Sequence, residues 1–204
     1  METDHEKVSY LIGRQIAGNL ISQKLDLNKD FLFKGIEAGL NDEDMEIGQD
    51  EAKKLIMEFQ SKIQEKLQEE KKAFAEKNKQ AGEDFLAENA KKDGIKITES
   101  GIQYRVITEG SGKVPAATDT VETHYEGTLI DGEVFDSSIQ RGQPVSFPVR
   151  GVIQGWQEVL QLMSEGSKWE VFIPYHLAYG EAGSPPKIGP CSALIFQIEL
   201  IKVH

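Results

Sequence analysis

The chain lacks the residues that build disulfides and metal clusters. Its 204 residues include a single cysteine, Cys191, which excludes a disulfide framework within the chain and a cysteine-based metal cluster. The four histidines do not have the spacing of metal ligands. A glycine-rich phosphate loop is missing too, because GSGK at 110–113 lacks the GxxxxGKS/T spacing. We therefore expect neither a metal nor a cofactor.

Basic residues and long apolar runs are scarce as well. Lys and Arg number 23 against 34 Asp and Glu, which gives a formal net charge of −11. A nucleic acid or an anionic membrane requires a positive surface, and no apolar run approaches the length of a membrane span. The first residues, METDHEKVSY, lack a basic segment followed by an apolar core. These features predict a cytoplasmic protein with no nucleic-acid partner and no membrane partner.

Proline is absent before residue 115, and this absence divides the chain into two halves. All seven prolines lie between Pro115 and Pro190, and only six of the 19 glycines precede residue 94. Because proline and glycine interrupt helices and mark turns, the first half is predicted to be helical and the second to consist of strands and turns.

Three helices are predicted in the first half, over residues 6–24, 31–40 and about 49–92. The first two carry apolar residues at helical spacing. The third is amphipathic only as far as Leu67. The following stretch, QEEKKAFAEKNKQAGED, is polar almost all round. We predict that it continues the helix, and the alternative is a flexible charged linker. The helical first half is too short to form a large hydrophobic core on its own. We therefore expect the first half to form a homodimer through its apolar faces.

The second half shows the pattern of an α+β domain. The predicted strands lie in IQYRVIT, TDTVETHYEGTL, EVFD, PVSFPV, SKWEVFIPY and SALIFQIELIKV, with one short helix in GWQEVLQLM. The last two strands are joined by YHLAYGEAGSPPKIGP, residues 175–190. A hairpin needs only two to five connecting residues. A connection this long indicates a functional loop, and the alternative is an ordered loop without a role in function.

Three stretches of the second half resemble the FKBP-type peptidyl-prolyl cis–trans isomerases. They are YEGTLIDGEVFDSS, then VIQGWQEVLQLMSEGSKWEVFIP, then AYGEAG with the closing ALIFQIEL. The resemblance covers about residues 101–204 in unbroken order. The helical half with its long third helix resembles the two-domain bacterial branch of the family, the macrophage infectivity potentiator-like group. Members of that branch are homodimers joined through their N-terminal helices.

The resemblance implies three regions. Residues 1–70 are expected to form an all-helical dimerisation and client-binding domain, and residues 94–204 an isomerase domain whose antiparallel sheet wraps on a short helix. Between them, residues 71–93 are expected to form a solvent-exposed connecting helix that continues a helix starting near residue 49.

The resemblance also implies a prolyl pocket covered by the 175–190 loop. The catalytic residues that it implies are Tyr125, Phe135, Asp136, Val152, Ile153, Trp156, Tyr179 and Phe196. The residues expected at the periphery are Val145, Phe147, Ala178, Ser184 and Ile188. Many family members carry an aromatic residue in place of Val145 and a histidine in place of Ser184.

The chemistry of prolyl isomerisation suits such a pocket. The X-Pro bond rotates over a barrier of roughly 18–20 kcal/mol because the amide is conjugated. An apolar cup for the ring and donors for the displaced carbonyl favour the twisted state, so no nucleophile or metal is needed. We expect the Ile153 backbone N–H and the Tyr179 hydroxyl to be these donors. Asp136, held by Tyr125, is expected to tune polarity.

The expected function is isomerisation of X-Pro bonds in unfolded or partly folded proteins, with the helical half binding those clients. A macrolide inhibitor is a further expected ligand of the pocket. The alternative is a holdase chaperone or binding module in which isomerisation is incidental. A hydrolase triad of Asp136, Ser137 and His124 is disfavoured, because no nucleophile-elbow glycines surround Ser137.

Overall fold

The structure is a computed structural model that describes residues 1–22 and 25–204. The end that we predicted for the first helix, at residue 24, lies outside the described residues. The chain divides into two compact units, Met1–Gln68 and Glu69–His204.

The N-terminal unit is helical, as predicted. Helix α1 spans Asp4–Ser22 and helix α2 spans Lys29–Leu40, where Asn28 caps the start by accepting hydrogen bonds from two backbone N–H groups. Helix α3, Gln49–Asn89, begins in this unit. Over the described part of Met1–Gln68 no residue is buried. The apolar faces of these helices are therefore uncovered in the single chain.

Helix α3 is one continuous helix, but its second part is not solvent-exposed on every side. Gly82 and Asn89 are buried. The Asn89 amide donates to the Gln103 side chain at 3.0 Å, and Phe85 lies against Phe172 with 5.9 Å between the ring centroids. The solvent exposure expected for residues 71–93 is thus wrong for one face of the helix, which packs on the C-terminal domain.

The C-terminal unit is an antiparallel sheet, which confirms the predicted fold class. Its strands are β1 (Lys96–Ile97), β2 (Gln103–Thr108), β3 (Thr120–Leu129), β4 (Val134–Ser137), β5 (Val145–Pro148), β6 (Lys168–Ile173) and β7 (Leu194–Val203). They pair in the order β1-β2-β6-β7-β3-β4, and β5 also pairs with β3. The register places Tyr125 of β3 opposite Ile198 of β7, and Gly127 of β3 opposite Asp136 of β4.

One short helix, α4 (Gln154–Leu160), completes the core. Its apolar residues Trp156, Val159 and Leu160 recur at helical spacing, and all three are buried in one cluster with the strand side chains. Gly155 allows the close approach, since a Cβ there would lie 2.5 Å from Ile173 Cγ2. In the described residues no helix is both long and apolar enough to cross a bilayer.

Candidate active site

A cavity of about 640 Å³ opens between α4, the strands around β3 and the 175–190 loop. Its wall is mostly apolar and is built from residues far apart in the sequence. It is lined by Tyr125, Phe135, Asp136, Phe147, Gly151, Val152, Ile153, Trp156, Tyr179, Ser184, Pro185, Pro186, Lys187, Ile188 and Phe196.

Trp156 forms the floor of this cavity and is 4% exposed. Its indole meets Tyr125 and Phe196 edge-on, each with 5.3 Å between centroids, and Phe147 at 5.9 Å. Such edge-to-face contacts are favourable and fix ring orientations. Gly127 makes room for the rings, because a Cβ there would lie 2.5 Å from Phe135 Cζ. The result is a rigid aromatic cup.

A polar cluster lies at one edge of the cup. The Tyr125 hydroxyl donates to Asp136 Oδ2 at 2.5 Å, the contact expected from the sequence. The Arg141 guanidinium donates to Asp136 Oδ1 and to the Tyr125 hydroxyl, and it lies over the Tyr125 ring. Burial alone raises the pKa of the Asp136 carboxyl, but the hydrogen bonds from Tyr125 and Arg141 outweigh it and hold that pKa below its usual value. Asp136 is therefore ionised at neutral pH.

Two donors on cavity-lining residues have no partner among the residues that the structure describes. They are the Tyr179 hydroxyl and the backbone N–H of Ile153, which directly precedes α4. The side chain of Tyr179 is 41% exposed. Burial, followed by the negative charge of Asp136, raises the pKa of the Tyr179 hydroxyl, so it keeps its proton. Both groups are available to a ligand carbonyl.

The 175–190 loop closes over the cup through its own hydrogen bonds. Ser184 and Ile188 pair across a tight turn that carries Pro185 and Pro186. Gly183, at a φ of 69°, begins this turn, and a Cβ there would lie 2.5 Å from the carbonyl of Gly189. The turn therefore requires glycine at this position and holds its proline tip at the cavity wall.

The structure brings together every catalytic residue implied by the sequence, and Phe147, Ser184 and Ile188 from the periphery. The other two peripheral residues, Val145 and Ala178, pack against the core and do not line the cavity.

Sequence reasoning missed five residues at the site. Gly151, Pro185, Pro186 and Lys187 line the cavity, and Arg141 binds Asp136 from outside it. The one available signal was the spacing of two opposite charges, Asp136 in β4 and Arg141 five residues further along the chain.

The site has the features that favour rotation about an amide bond. It offers an apolar floor and the two donors described above. It also offers the ionised carboxylate of Asp136, whose charge is partly balanced by Arg141. Among the described residues, no group of three or more His, Cys, Asp or Glu side chains is placed to hold a metal ion.

The class that the fold and the site define is supported by comparison with known proteins. A family model described as FKBP-type peptidyl-prolyl cis-trans isomerase matches residues 112–201. A second, described as the domain amino terminal to FKBP-type peptidyl-prolyl isomerase, matches residues 5–106. The chain belongs to the two-domain FKBP-type peptidyl-prolyl cis–trans isomerase family.

Individual relatives match over the whole chain. The chain is 43% identical to the outer membrane protein MIP of Legionella longbeachae, over 100% of this chain and 87% of the relative. It is also 43% identical to the FKBP-type 22 kDa peptidyl-prolyl cis-trans isomerase of Escherichia coli K12, over 99% and 97% of the two chains. The crystal structure of FkpA from Escherichia coli superposes with a TM-score of 0.81 at 35% identity, covering 100% of this chain and 98% of that one.

Proposed function

We propose that this cavity catalyses the cis–trans isomerisation of X-Pro bonds in refolding proteins. The observation that carries the proposal is the aromatic cup itself. Trp156 is walled by Tyr125, Phe147 and Phe196 and faces an open volume of about 640 Å³ beneath a proline-tipped loop. A cup of this kind accepts a prolyl ring and excludes water around the bond that rotates.

The proposed mechanism is stabilisation of the twisted amide. Rotation breaks the conjugation that makes the X-Pro bond planar, and no covalent bond forms or breaks. Val152 and Phe135 complete the apolar wall, so the prolyl ring is held while the preceding carbonyl turns. Catalysis then depends on what the displaced carbonyl meets in the twisted state.

We assign that contact to the Ile153 N–H and the Tyr179 hydroxyl. Both are unpaired in the described structure, and both belong to residues that line the cavity. Asp136 carries no proton to the substrate in this proposal, because its pKa is lowered and its oxygens already accept hydrogen bonds from Tyr125 and Arg141. Its role is to orient Tyr125 and to set the field at the edge of the cup.

For the N-terminal half we propose homodimerisation and client binding. Its helices expose large apolar side chains that a single chain leaves uncovered: Val8, Leu11, Ile12, Ile16, Ile21, Phe31, Phe33, Ile36, Leu40, Leu55 and Ile56. Apolar exposure on this scale favours association with a second copy or with partly folded chains. The boundaries at 70 and 94 stay proposals; the compact C-terminal unit begins at Glu69.

Refolding of a protein whose slow step is a prolyl isomerisation tests the function. Substoichiometric amounts of the full chain should accelerate the slow phase, with a rate that rises in proportion to its concentration. A holdase with incidental turnover would raise the refolding yield and leave the rate constant of the slow phase unchanged. That outcome would replace the isomerase proposal with the alternative.

The dimer is tested by charge placed on α1. Ile16, 46% exposed, and Leu20 lie one turn apart, and Ile16→Glu with Leu20→Glu should convert a dimer into a monomer by light scattering. The monomer should keep peptide turnover and lose much of its advantage on refolding proteins, because two linked sites raise the effective concentration. An unchanged mass rejects this dimer face.

Two narrower proposals accompany the function. A macrolide inhibitor is expected to compete for the aromatic cup, and a competition assay with a prolyl peptide tests it. A cytoplasmic location also stays a proposal, and because one relative is named an outer membrane protein, immunoblotting of cell fractions is the direct test.

A further inference from the structure

Only two charged side chains appear among the described residues that line the cavity, and they differ in their surroundings. Asp136 is paired with Arg141 and accepts a second hydrogen bond from Tyr125. Lys187, from the tip of the 175–190 loop, has no carboxylate partner in the described part of the chain. The cavity edge therefore carries one balanced anion and one unbalanced cation.

The ammonium group of Lys187, a residue that lines the cavity, is held by a hydrogen bond to the protein. Its Nζ donates a 2.7 Å hydrogen bond to the backbone carbonyl of Phe135, which itself lines the cavity. An ammonium group has three N–H donors. One is used by Phe135, and the remaining two meet no protein acceptor among the described residues.

We propose that Lys187 selects X-Pro substrates that carry an acidic residue directly beside the proline. The inference rests on the proposed isomerase function and names its preferred substrate class. A carboxylate beside a bound prolyl ring reaches the cavity edge, where the two free N–H donors of Lys187 can bind it. Charge-assisted hydrogen bonds of this kind are stronger than neutral ones.

The hydrogen bond to Phe135 favours this role because it pre-organises the cation. A free lysine side chain loses much rotamer freedom when it binds a ligand. Because the hydrogen bond to Phe135 already restricts the Lys187 side chain, less rotamer entropy is lost when a ligand binds. A purely structural latch is the competing role, in which Lys187 only ties the loop to β4. The two roles differ in one measurable respect, the dependence on substrate charge.

The test compares peptides that differ only in charge, with full-length protein and exchange NMR, which needs no coupling protease. Two peptide pairs place Glu or Gln directly before the proline, or directly after it. The variants are Lys187→Met, which removes the charge, Lys187→Arg, which keeps it, and Lys187→Glu, which reverses it. Each is first checked for an unchanged fold by its spectrum and melting temperature. The quantity compared is the Glu-to-Gln ratio of kcat/KM, because the charges other than the one at position 187 are the same in every variant.

In at least one peptide pair, the Glu-to-Gln ratio should be about two- to fivefold higher for wild type than for Lys187→Met, as expected of one partly exposed ion pair. Lys187→Arg should keep the wild-type ratio, Lys187→Glu should lower it further, and 0.5 M salt should reduce the difference. Equal ratios in wild type and Lys187→Met, even with slower turnover of both peptides, show a latch and overturn the proposal. Wild type that fails to accelerate the Gln peptides contradicts the isomerase function instead.

Discussion

The side-chain amide of Asn78 donates a 2.8 Å hydrogen bond to the backbone carbonyl of Pro190, which ties helix α3 to the last residue of the 175–190 loop. Two further contacts extend this connection. A Cβ on Gly189 would lie 2.8 Å from the Phe74 ring, and a Cβ on Gly82 would lie 3.0 Å from Ala193 Cβ. Helix α3 therefore supports the end of the loop that covers the proposed active site.

Removal of the Asn78 amide should loosen that loop. Asn78→Ala deletes the hydrogen bond to Pro190 and a longer one, 3.4 Å, to Ser192 Oγ. Their loss should cost about 1 kcal/mol or more, which corresponds to at least roughly fivefold faster local opening. Hydrogen exchange should report this at the Cys191 N–H, which donates to the Gly180 carbonyl at 3.0 Å. Gln80→Ala, an exposed change two residues along the same helix, is the control. Equal exchange in both variants contradicts support of the loop by α3.

The contacts of α3 also predict which fragment of the chain forms the more stable C-terminal domain. A fragment that starts at residue 94 loses Asn89 and Leu86, the two partners of the buried Gln103 side chain. It also loses the contact of Phe85 with Phe172, and the lost hydrogen bonds and apolar contact together cost about 2 kcal/mol. The fragment 69–204 should therefore melt roughly 10 °C above the fragment 94–204, as measured by circular dichroism. Equal melting temperatures would support the boundary expected from the sequence.

Arg141 should control the ionisation of Asp136. Because the folded-state pKa of Asp136 is depressed, its contribution to stability is present above the ordinary value of about 3.9 and is lost as the pH falls toward the folded pKa. Arg141→Met removes one cause of the depression while burial still raises the pKa. The carboxyl carbon of Asp136 should then titrate at a higher pH than in wild type, as measured by NMR.

The matched control is Arg105→Met, which removes an arginine of similar exposure from its ion pair with Glu170. It should leave the Asp136 titration where it is. If the titration of Asp136 is the same in Arg141→Met as in wild type, Arg141 does not control the ionisation of Asp136.

Tyr179 is predicted to act through its hydroxyl. Tyr179→Phe keeps the ring and removes one donor, and a neutral hydrogen bond is worth about 0.5–1.5 kcal/mol. The value of kcat/KM for a prolyl peptide should fall about two- to tenfold. Tyr104→Phe, on a ring that stacks against Trp169 with centroids 4.4 Å apart, should change it little. If both variants behave alike, the donor role of Tyr179 fails.

Sequence patterns were sufficient for strands β2 to β7 and for α4, whereas β1 was missed. The cup was predicted only through the family resemblance. In α4, Trp156, Val159 and Leu160 follow the helical period. In β3, the buried residues Val121, Thr123 and Tyr125 alternate with half-buried ones. Apolar periodicity determines which side chains face the core, so these elements were predictable from residues alone.

The docking of α3 was only partly predictable in that way, because Phe85, which lies against Phe172, is its one large apolar ring at this contact. Its buried residues are Gly82 and Asn89, which carry little or no apolar surface. Gly82 is buried by close packing and Asn89 by a paired amide, and neither contributes to a hydrophobic pattern. Lys187 was missed for a related reason. Its position over the cavity depends on the shape of a loop, which hydrophobic periodicity does not describe.

The two tryptophans allow the most direct test of the central claim, that the cavity above Trp156 is the isomerase site. Both are buried, and both have an indole N–H without an acceptor in the described structure, but only Trp156 lines the cavity. The measurement is kcat/KM for an Ala-Leu-Pro-Phe peptide in a protease-coupled assay, with Trp156→Phe and Trp169→Phe both confirmed as folded. Wild type should catalyse, Trp156→Phe should lose roughly tenfold or more, and Trp169→Phe should stay within about twofold of wild type. No catalysis by wild type, or equal losses in the two variants, would contradict the account.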